Sequence, residues 1–317
     1  MKSIASAPGK IILFGEHFVV YGMKAVLCSI DKRITATSQF IDEKVIRIRS
    51  SLGESEINID SSNNLEKVQQ KFMKPFFYVA QRAIKENSSK SGIELVLESE
   101  IPTGVGLGSS SAACVAATAS VNGLFCKLSK NDVMKIAVQA ERTIFEQNSG
   151  ADSSVSTFGG LVSYDLKNGF ENISSRNDLR FIISNSAQVH NTQDVVRQVR
   201  NFKEKNNDLF NKLCKLEIDI VDSAMSSLRE NDLNKLGSLM LKNHDLLKQI
   251  GISTEKIDLL VEEAKKTSYG AKITGAGGGG CIISLVDDSN SEDTLNNLRK
   301  ISDCFMTKID YSGLKYS

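Results

Sequence analysis

The sequence predicts an α+β protein built in two lobes. Three observations carry that prediction. The chain has 317 residues, enough for two packed units. Its composition is that of an ordinary soluble protein, with 41% hydrophobic and 24% charged residues. Segments that alternate apolar and polar residues are interspersed with segments whose apolar residues recur at helical spacing.

In chain order, Ser3–Ala7 and Lys10–Phe14 read as short strands around Pro8-Gly9, and Ala25–Ile30 as another. RITATSQF (33–40) and KVIRIRS (44–50) alternate like half-buried strands, whereas 50–66 is polar and unpatterned and reads as a surface loop or flap. Residues 67–86 are helical, with Pro75 starting or kinking the main segment. SGIELVLESEIP (91–102) is a strand feeding a glycine loop, and 110–126 is a helix of small residues. Ser129-Lys130-Asn131-Asp132 resembles a capping box, and Val133, Ile136, Ala137, Ala140 and Ile144 continue it at helical spacing. Residues 148–165 read as a loop entering a strand, and RFIISNSA (180–187) as the first strand of a second lobe. Helices follow from about Val195 to Leu228, from Leu233 to Lys248 and over 254–267. Then come the loop TGAGGGG, the strand CIISLV, a helix over 292–303 and a last strand, FMTKIDYS.

A net charge of +1 gives no reason to expect nucleic acid or an anionic membrane as partner. No apolar run approaches the roughly 20 residues that span a bilayer, and MKSIASAPGKIILFGEH, a brief apolar stretch broken by glycine and glutamate, does not read as a signal peptide. Six scattered cysteines without a CxxC pair read as reduced thiols of a cytosolic protein, and three dispersed histidines offer no metal cluster.

The densest signal is IPTGVGLGSSSAA (101–113), a strand, a Gly/Ser loop and a helix start. Backbone N–H groups of such a loop converge on an anion, and the helix N-terminus adds partial positive charge. No Gly-Lys-Ser/Thr ends it, so it is not a Walker loop, and Ser111 stands where a dinucleotide fingerprint needs its last glycine. KITGAGGGGC (272–281) contains GxGxxG, but with a helix before it and a strand after it the order is wrong for dinucleotide binding. Close backbone approach to a ligand or to the other lobe is the expectation there. Lys10, Glu16 and His17 lie beside turns in an apolar segment, Glu141 at the edge of a helical stripe, and Asp152 in a loop of small residues. Each has an ordinary structural explanation when taken alone. Together they suit phosphoryl transfer, which needs an anion cradle, hard ligands for Mg²⁺, a cation and a base.

Three motifs in fixed order, PGKIILFGEHFVVYG (8–22), PTGVGLGSSSAA (102–113) and KITGAGGGGC, with SGADSSVSTFGG (149–160) between the second and the third, make the sequence similar to GHMP-superfamily kinases. It resembles the mevalonate kinases among them; the GEH and VVYG elements favour these over galactokinases. The resemblance implies two α+β lobes, 1–177 with a left-handed βαβ unit and 178–317 ferredoxin-like, with the active site in the cleft between them. It implies a cytoplasmic enzyme using ATP and Mg²⁺ on (R)-mevalonate, binding neither nucleic acid nor membrane, and it allows a homodimer. Carried over by position, Asp152 is the base for the C5 hydroxyl and Lys10 lies beside it. The nucleotide segment is Pro102, Thr103, Gly104, Val105, Gly106, Leu107, Gly108, Ser109, Ser110, Ser111 and Ala112. Ser110 and Glu141 hold the metal, while Glu16, His17 and Thr192 bind substrate. Gly275, Gly277 and Gly278 form a structural glycine loop that buttresses the phosphate loop. Two departures fall near the substrate: Phe145-Glu146-Gln147-Asn148 replaces a His-Gly-x-Pro of animal-type members, and His190 stands where many members carry arginine. Other kinases of the superfamily, acting on phosphomevalonate or homoserine, and a silent regulator on the same fold are the rival readings.

Overall fold

The computed structural model describes the whole chain except residues 60–64, Thr103, Gln147, 174–178 and His190, with Lys67 described as backbone only. The first half runs β1 (Lys2–Phe14), β2 (Ala25–Ile41), β3 (Val45–Ser50), β4 (Gly53–Asn58), α1 (Lys74–Glu86), β5 (Gly92–Ser99), α2 (Ser109–Gly123), α3 (Lys130–Glu141), α4 (Ala151–Phe158), β6 (Leu161–Asp165) and β7 (Gly169–Asn172). The second half runs β8 (Arg180–Asn185), α5 (Thr192–Lys205), α6 (Asn207–Glu230), α7 (Leu233–Gln249), α8 (Glu255–Lys265), β9 (Gly270–Thr274), β10 (Cys281–Val286), α9 (Ser291–Arg299), β11 (Cys304–Lys308) and β12 (Lys315–Tyr316).

These strands make two sheets. The first has the order β12-β1-β2-β5-β3-β4, with β6 and β7 branching from β2. Its β3 and β5 are parallel, and α1 lies on the connection between them, which makes a βαβ crossover. The second sheet has the order β11-β8-β10-β9 and is antiparallel throughout. Helices connect β8 to β9 and β10 to β11, which is the ferredoxin-like arrangement. The α+β class therefore holds. The expected lobe boundary at 177/178 lies outside the described residues, and β12 carries the chain end back to β1 of the first sheet.

Helix α2 sits at the centre of the first sheet's packing, against β1, β2, α1, α3 and α4, and every residue from Ser111 to Asn122 is buried. Small side chains are needed because its neighbours come close on all sides. Ser120 Oγ lies 2.8 Å both from the Ser3 carbonyl, to which it donates, and from Ser38 Oγ. Among the described residues no helix is long and apolar enough to cross a membrane, and all six cysteines are free, only Cys126 being exposed.

Several expectations need correction. The two N-terminal segments are one strand, with a register shift between Pro8 and Lys10, and β2 is continuous from Ala25 to Ile41. Part of the expected loop at 50–66 is β4, an edge strand whose Glu54 and Glu56 pair with Arg47 of β3 and which packs only Ile57 against the core; 60–64 lie outside the described residues. Helix α4 replaces the loop expected around Asp152. The single long helix from Val195 is two, broken at Asn206. Strand β9 precedes TGAGGGG, so the four-glycine run is a hairpin turn between β9 and β10. β7 and β12 had no signal that set them apart from loop.

Candidate active site

The end of β1 and the start of α2 meet at Lys10. Its N–H donates to the Leu107 carbonyl at 2.9 Å, drawing the loop onto the strand. Gly108 caps α2 with φ +71°, and a Cβ built there would lie 2.7 Å from Lys10 Cγ. That contact, together with the left-handed backbone, is why the position is glycine. Val105 and Leu107 are buried anchors, whereas Ser109 and Ser110 are partly exposed at the mouth of the helix. The first-turn N–H groups of α2 have no acceptor within the helix and are available to an anion.

Glu141, the last residue of α3, is 4% exposed. Ser111 Oγ lies 2.8 Å from both its carboxylate oxygens, Asn148 Nδ2 donates to Oε2 at 2.6 Å and Ser153 Oγ at 3.2 Å. Burial pushes its pKa up, the Ser111 hydrogen bond pulls back, Asp152 pushes up again, and Asn148 and Ser110 lower it. Gly150 opens α4 in the left-handed conformation, which places Asp152 in the first helical turn. Asp152 Oδ2 lies 3.2 Å from Lys10 Nζ, the ammonium almost buried and the carboxylate about one-third exposed at 36%.

The Gly15–His17 turn completes the site. His17 Nε2 lies 2.7 Å from the Ala276 carbonyl; a carbonyl only accepts, so that nitrogen carries the proton. Burial lowers the pKa of the ring, which favours neutral imidazole, and the Ala276 bond opposes this. Glu16 is buried with its carboxylate on the Lys272 ammonium, which also donates to the Ile273 carbonyl. Behind the turn, Glu217 accepts the Gly15 N–H at 2.9 Å and the Asn243 amide at 2.6 Å. Burial lifts the Glu217 pKa to about 7, with Glu16 raising it further and Asn243, Lys272 and Gly15 opposing.

A cleft of about 480 Å³ collects most of the expected residues: Lys10, Glu16, His17, Gly106, Gly108, Ser109, Ser110, Ser111, Glu141, Asp152, Thr192 and Gly275 all line it. Phe145, Asn148 and Tyr164 line it too. Val105, Leu107 and Ala112 are buried behind it, Pro102 and Gly104 are exposed away from it, and Thr103 and His190 lie outside the described residues. Thr192 opens α5 behind an Asn191 cap. The third motif contacts the phosphate loop, since a Cβ on Gly275 would lie 3.4 Å from the Gly106 carbonyl; it is tied to β1 as well, where Thr274 Oγ1 accepts the Ile12 N–H at 2.9 Å. Gly277 has no room for a side chain, a Cβ there falling 2.6 Å from the Ile252 carbonyl, which accepts the Gly278 N–H at 2.7 Å. Sequence reasoning missed Asn148, Ser153, Lys272, Glu217 and Asn243. Asn148 adjoins the Asp152 motif, Ser153 lies inside it and Lys272 opens KITGAGGGGC, whereas Glu217 and Asn243 belong to no motif.

Comparison with known proteins assigns the family. Residues 75–160 match the family model of the GHMP kinases N terminal domain and 224–302 that of the GHMP kinases C terminal domain. The chain is 35% identical to the mevalonate kinase of Pyrococcus furiosus over 310 residues, covering 92% of this chain and 91% of that one. It is 36% identical to that of Archaeoglobus fulgidus over 286 residues, covering 89% and 92%. The crystal structure of the Methanococcus jannaschii mevalonate kinase superposes with a TM-score of 0.87 at 28% identity, covering 97% and 98%. The chain belongs to the GHMP kinases and, within them, to the mevalonate kinase family.

Proposed function

We propose that the protein transfers the γ-phosphoryl group of ATP to the C5 hydroxyl of (R)-mevalonate, giving 5-phosphomevalonate and ADP. The observation that carries the reading is the Lys10–Asp152 pair, 3.2 Å apart and facing the same cleft as the open N-terminus of α2. Asp152 takes the hydroxyl proton as the oxygen attacks, and Lys10 offsets charge on the transferring group. The backbone from Gly106 to Ser111 cradles the phosphates. His17 and Thr192 bind the acceptor, and Glu16, held by the Lys272 ammonium, lines the cleft beside them.

Mg²⁺ fits the residues present. Glu141 and the Ser110 hydroxyl are hard oxygen donors beside the phosphate cradle, and among the described residues no group of three or more His, Cys, Asp or Glu side chains converges on a metal site. A pair of protein ligands completed by substrate phosphates and water is the pattern this ion prefers. Bound there by Ser110 and Glu141, it would supply charge neutralisation on the β- and γ-phosphates. A cytoplasmic location and a homodimeric assembly belong to the same proposal, the latter checked by sedimentation of the purified protein.

The test is turnover of a panel of alcohols with ATP and Mg²⁺. Mevalonate alone is expected to be phosphorylated at its primary hydroxyl. Turnover of phosphomevalonate, homoserine or galactose without turnover of mevalonate overturns the substrate assignment.

A further inference from the structure

The Gly15–His17 side of the cleft rests on three buried charged groups, of which only Glu16 lines the cleft. Glu16, Lys272 and Glu217 are buried at 2%, 0% and 0% exposure, two carboxylates around one ammonium. They come from the turn after β1, from β9 and from α6, separated by more than 200 residues in the case of Gly15 and Glu217. Burying a charge is costly unless it is paired and hydrogen-bonded, and Glu16 already pairs with Lys272. Glu217 is therefore the extra charge, and it must have a use that outweighs the cost. Its two oxygens have one partner each: Oε1 takes the N–H of Gly15 and Oε2 the amide of Asn243 on α7. Gly15 is two residues from His17, whose own backbone is held at φ +60° and whose ring is aimed by Ala276. A positive φ at a non-glycine residue in such a sparsely populated region costs about 1–3 kcal/mol and persists only where the surroundings fix it.

We propose that Glu217 is a positioning residue for the acceptor: through the Gly15 amide it fixes the turn that presents His17 to the cleft, so that α6 and α7 set acceptor affinity without touching the substrate. The inference rests on the proposed function for its kinetic consequence, but not for its structural one. Three further facts fit it. Lys272 holds Glu16, the residue between Gly15 and His17, so both flanks of the turn are tied to the second sheet or its helices. Asn243 Oδ1 accepts no hydrogen bond among the described residues, so its amide can turn over and serve a donor in place of an acceptor at 217. Neither Glu217 nor Asn243 lines the cleft, so an effect of either on the acceptor must travel through the turn.

Glu217→Ala leaves the Glu16–Lys272 pair charge-balanced but strips Gly15 of its acceptor. Glu217→Gln keeps an acceptor for Gly15, and its amide group can donate to Asn243 Oδ1. For the alanine variant we expect amide exchange at Gly15 faster by on the order of tenfold or more. Its acceptor KM should rise about five- to tenfold, with the ATP KM within about twofold of wild type. Glu217→Gln should recover most of both losses. Equal changes in both KM values, or unchanged exchange at Gly15, overturn the proposal. Should alanine at 217 not yield folded protein, Asn243→Ala removes one of Glu217's two donors and should move the acceptor KM about two- to threefold in the same direction; no change there overturns the proposal as well. Exchange at Gly15 needs no substrate, so failure of the positioning role and failure of the mevalonate assignment give different results.

Discussion

The phosphate loop and the Gly15–His17 turn face the same cleft and are stabilised in opposite ways. The loop from Gly104 to Ser111 is contiguous, small and partly exposed, and its polarity comes from unpaired backbone amides at the head of α2. The turn carries side chains whose settings depend on Lys272, Glu217, Asn243 and Ala276, residues brought in from β9, α6, α7 and the β9–β10 turn. A triphosphate is a strong anion that many N–H groups can grip, so a local motif is enough. A small hydroxy acid offers few handles, and its pocket must be made rigid from a distance.

The largest expected effect tests the end of the phosphate side. Asp152→Ala should lower kcat about a thousandfold, with nucleotide affinity measured by calorimetry little changed. Near-normal turnover would remove Asp152 from the role of base. Next comes Gly108→Ala. The new methyl falls on Lys10 Cγ and the backbone is left-handed, so the ammonium is displaced from Asp152 and kcat should fall about a hundredfold. If the variant matches wild type in stopped-flow assays, the close approach of loop and lysine has no catalytic meaning.

The same contrast explains what could be read from sequence. The loop, Lys10 and Asp152 stand in stretches whose residue types announce their chemistry, Glu141 is marked by the family resemblance rather than by its own helix, and all four line one cleft. Lys272 sits inside a motif but shows only a lysine before a glycine run. Glu217 and Asn243 lie on ordinary amphipathic helices where nothing marks them as buried. Helix α4 escaped because ADSSVSTF is eight residues of weak helix formers, kept helical by packing against α2 and α3. β4 escaped because Ile57 is its one apolar residue facing the core, and the strand is held chiefly by its backbone ladder to β3.

Two smaller predictions sharpen the acceptor side. His17→Ala removes one polar contact, and the mevalonate KM should rise roughly tenfold while the ATP KM holds; a parallel rise in both would place His17 elsewhere in the cycle. Glu217→Gln tests the cost of the buried carboxylate. Its pKa is raised from 4.5 to about 7, so the native state holds the proton more tightly than the unfolded chain. Wild type therefore loses stability as pH climbs from 4.5 to 7, by up to about 3 kcal/mol. The glutamine variant should be the more stable at pH 8, with the advantage shrinking as pH falls and gone below 4.5. Denaturant midpoints across that range measure it, and a pH-independent difference would mean Glu217 does not titrate as its burial demands.

The most direct test of the whole account is a crystal structure with mevalonate and a non-hydrolysable ATP analogue. The account predicts the γ-phosphate at the N-terminus of α2, beside Lys10 and Glu141, and the C5 oxygen within hydrogen-bond reach of Asp152 on a line through the γ-phosphorus. A nucleotide whose terminal phosphate lies away from Gly108, or an acceptor hydroxyl remote from Asp152, would contradict it.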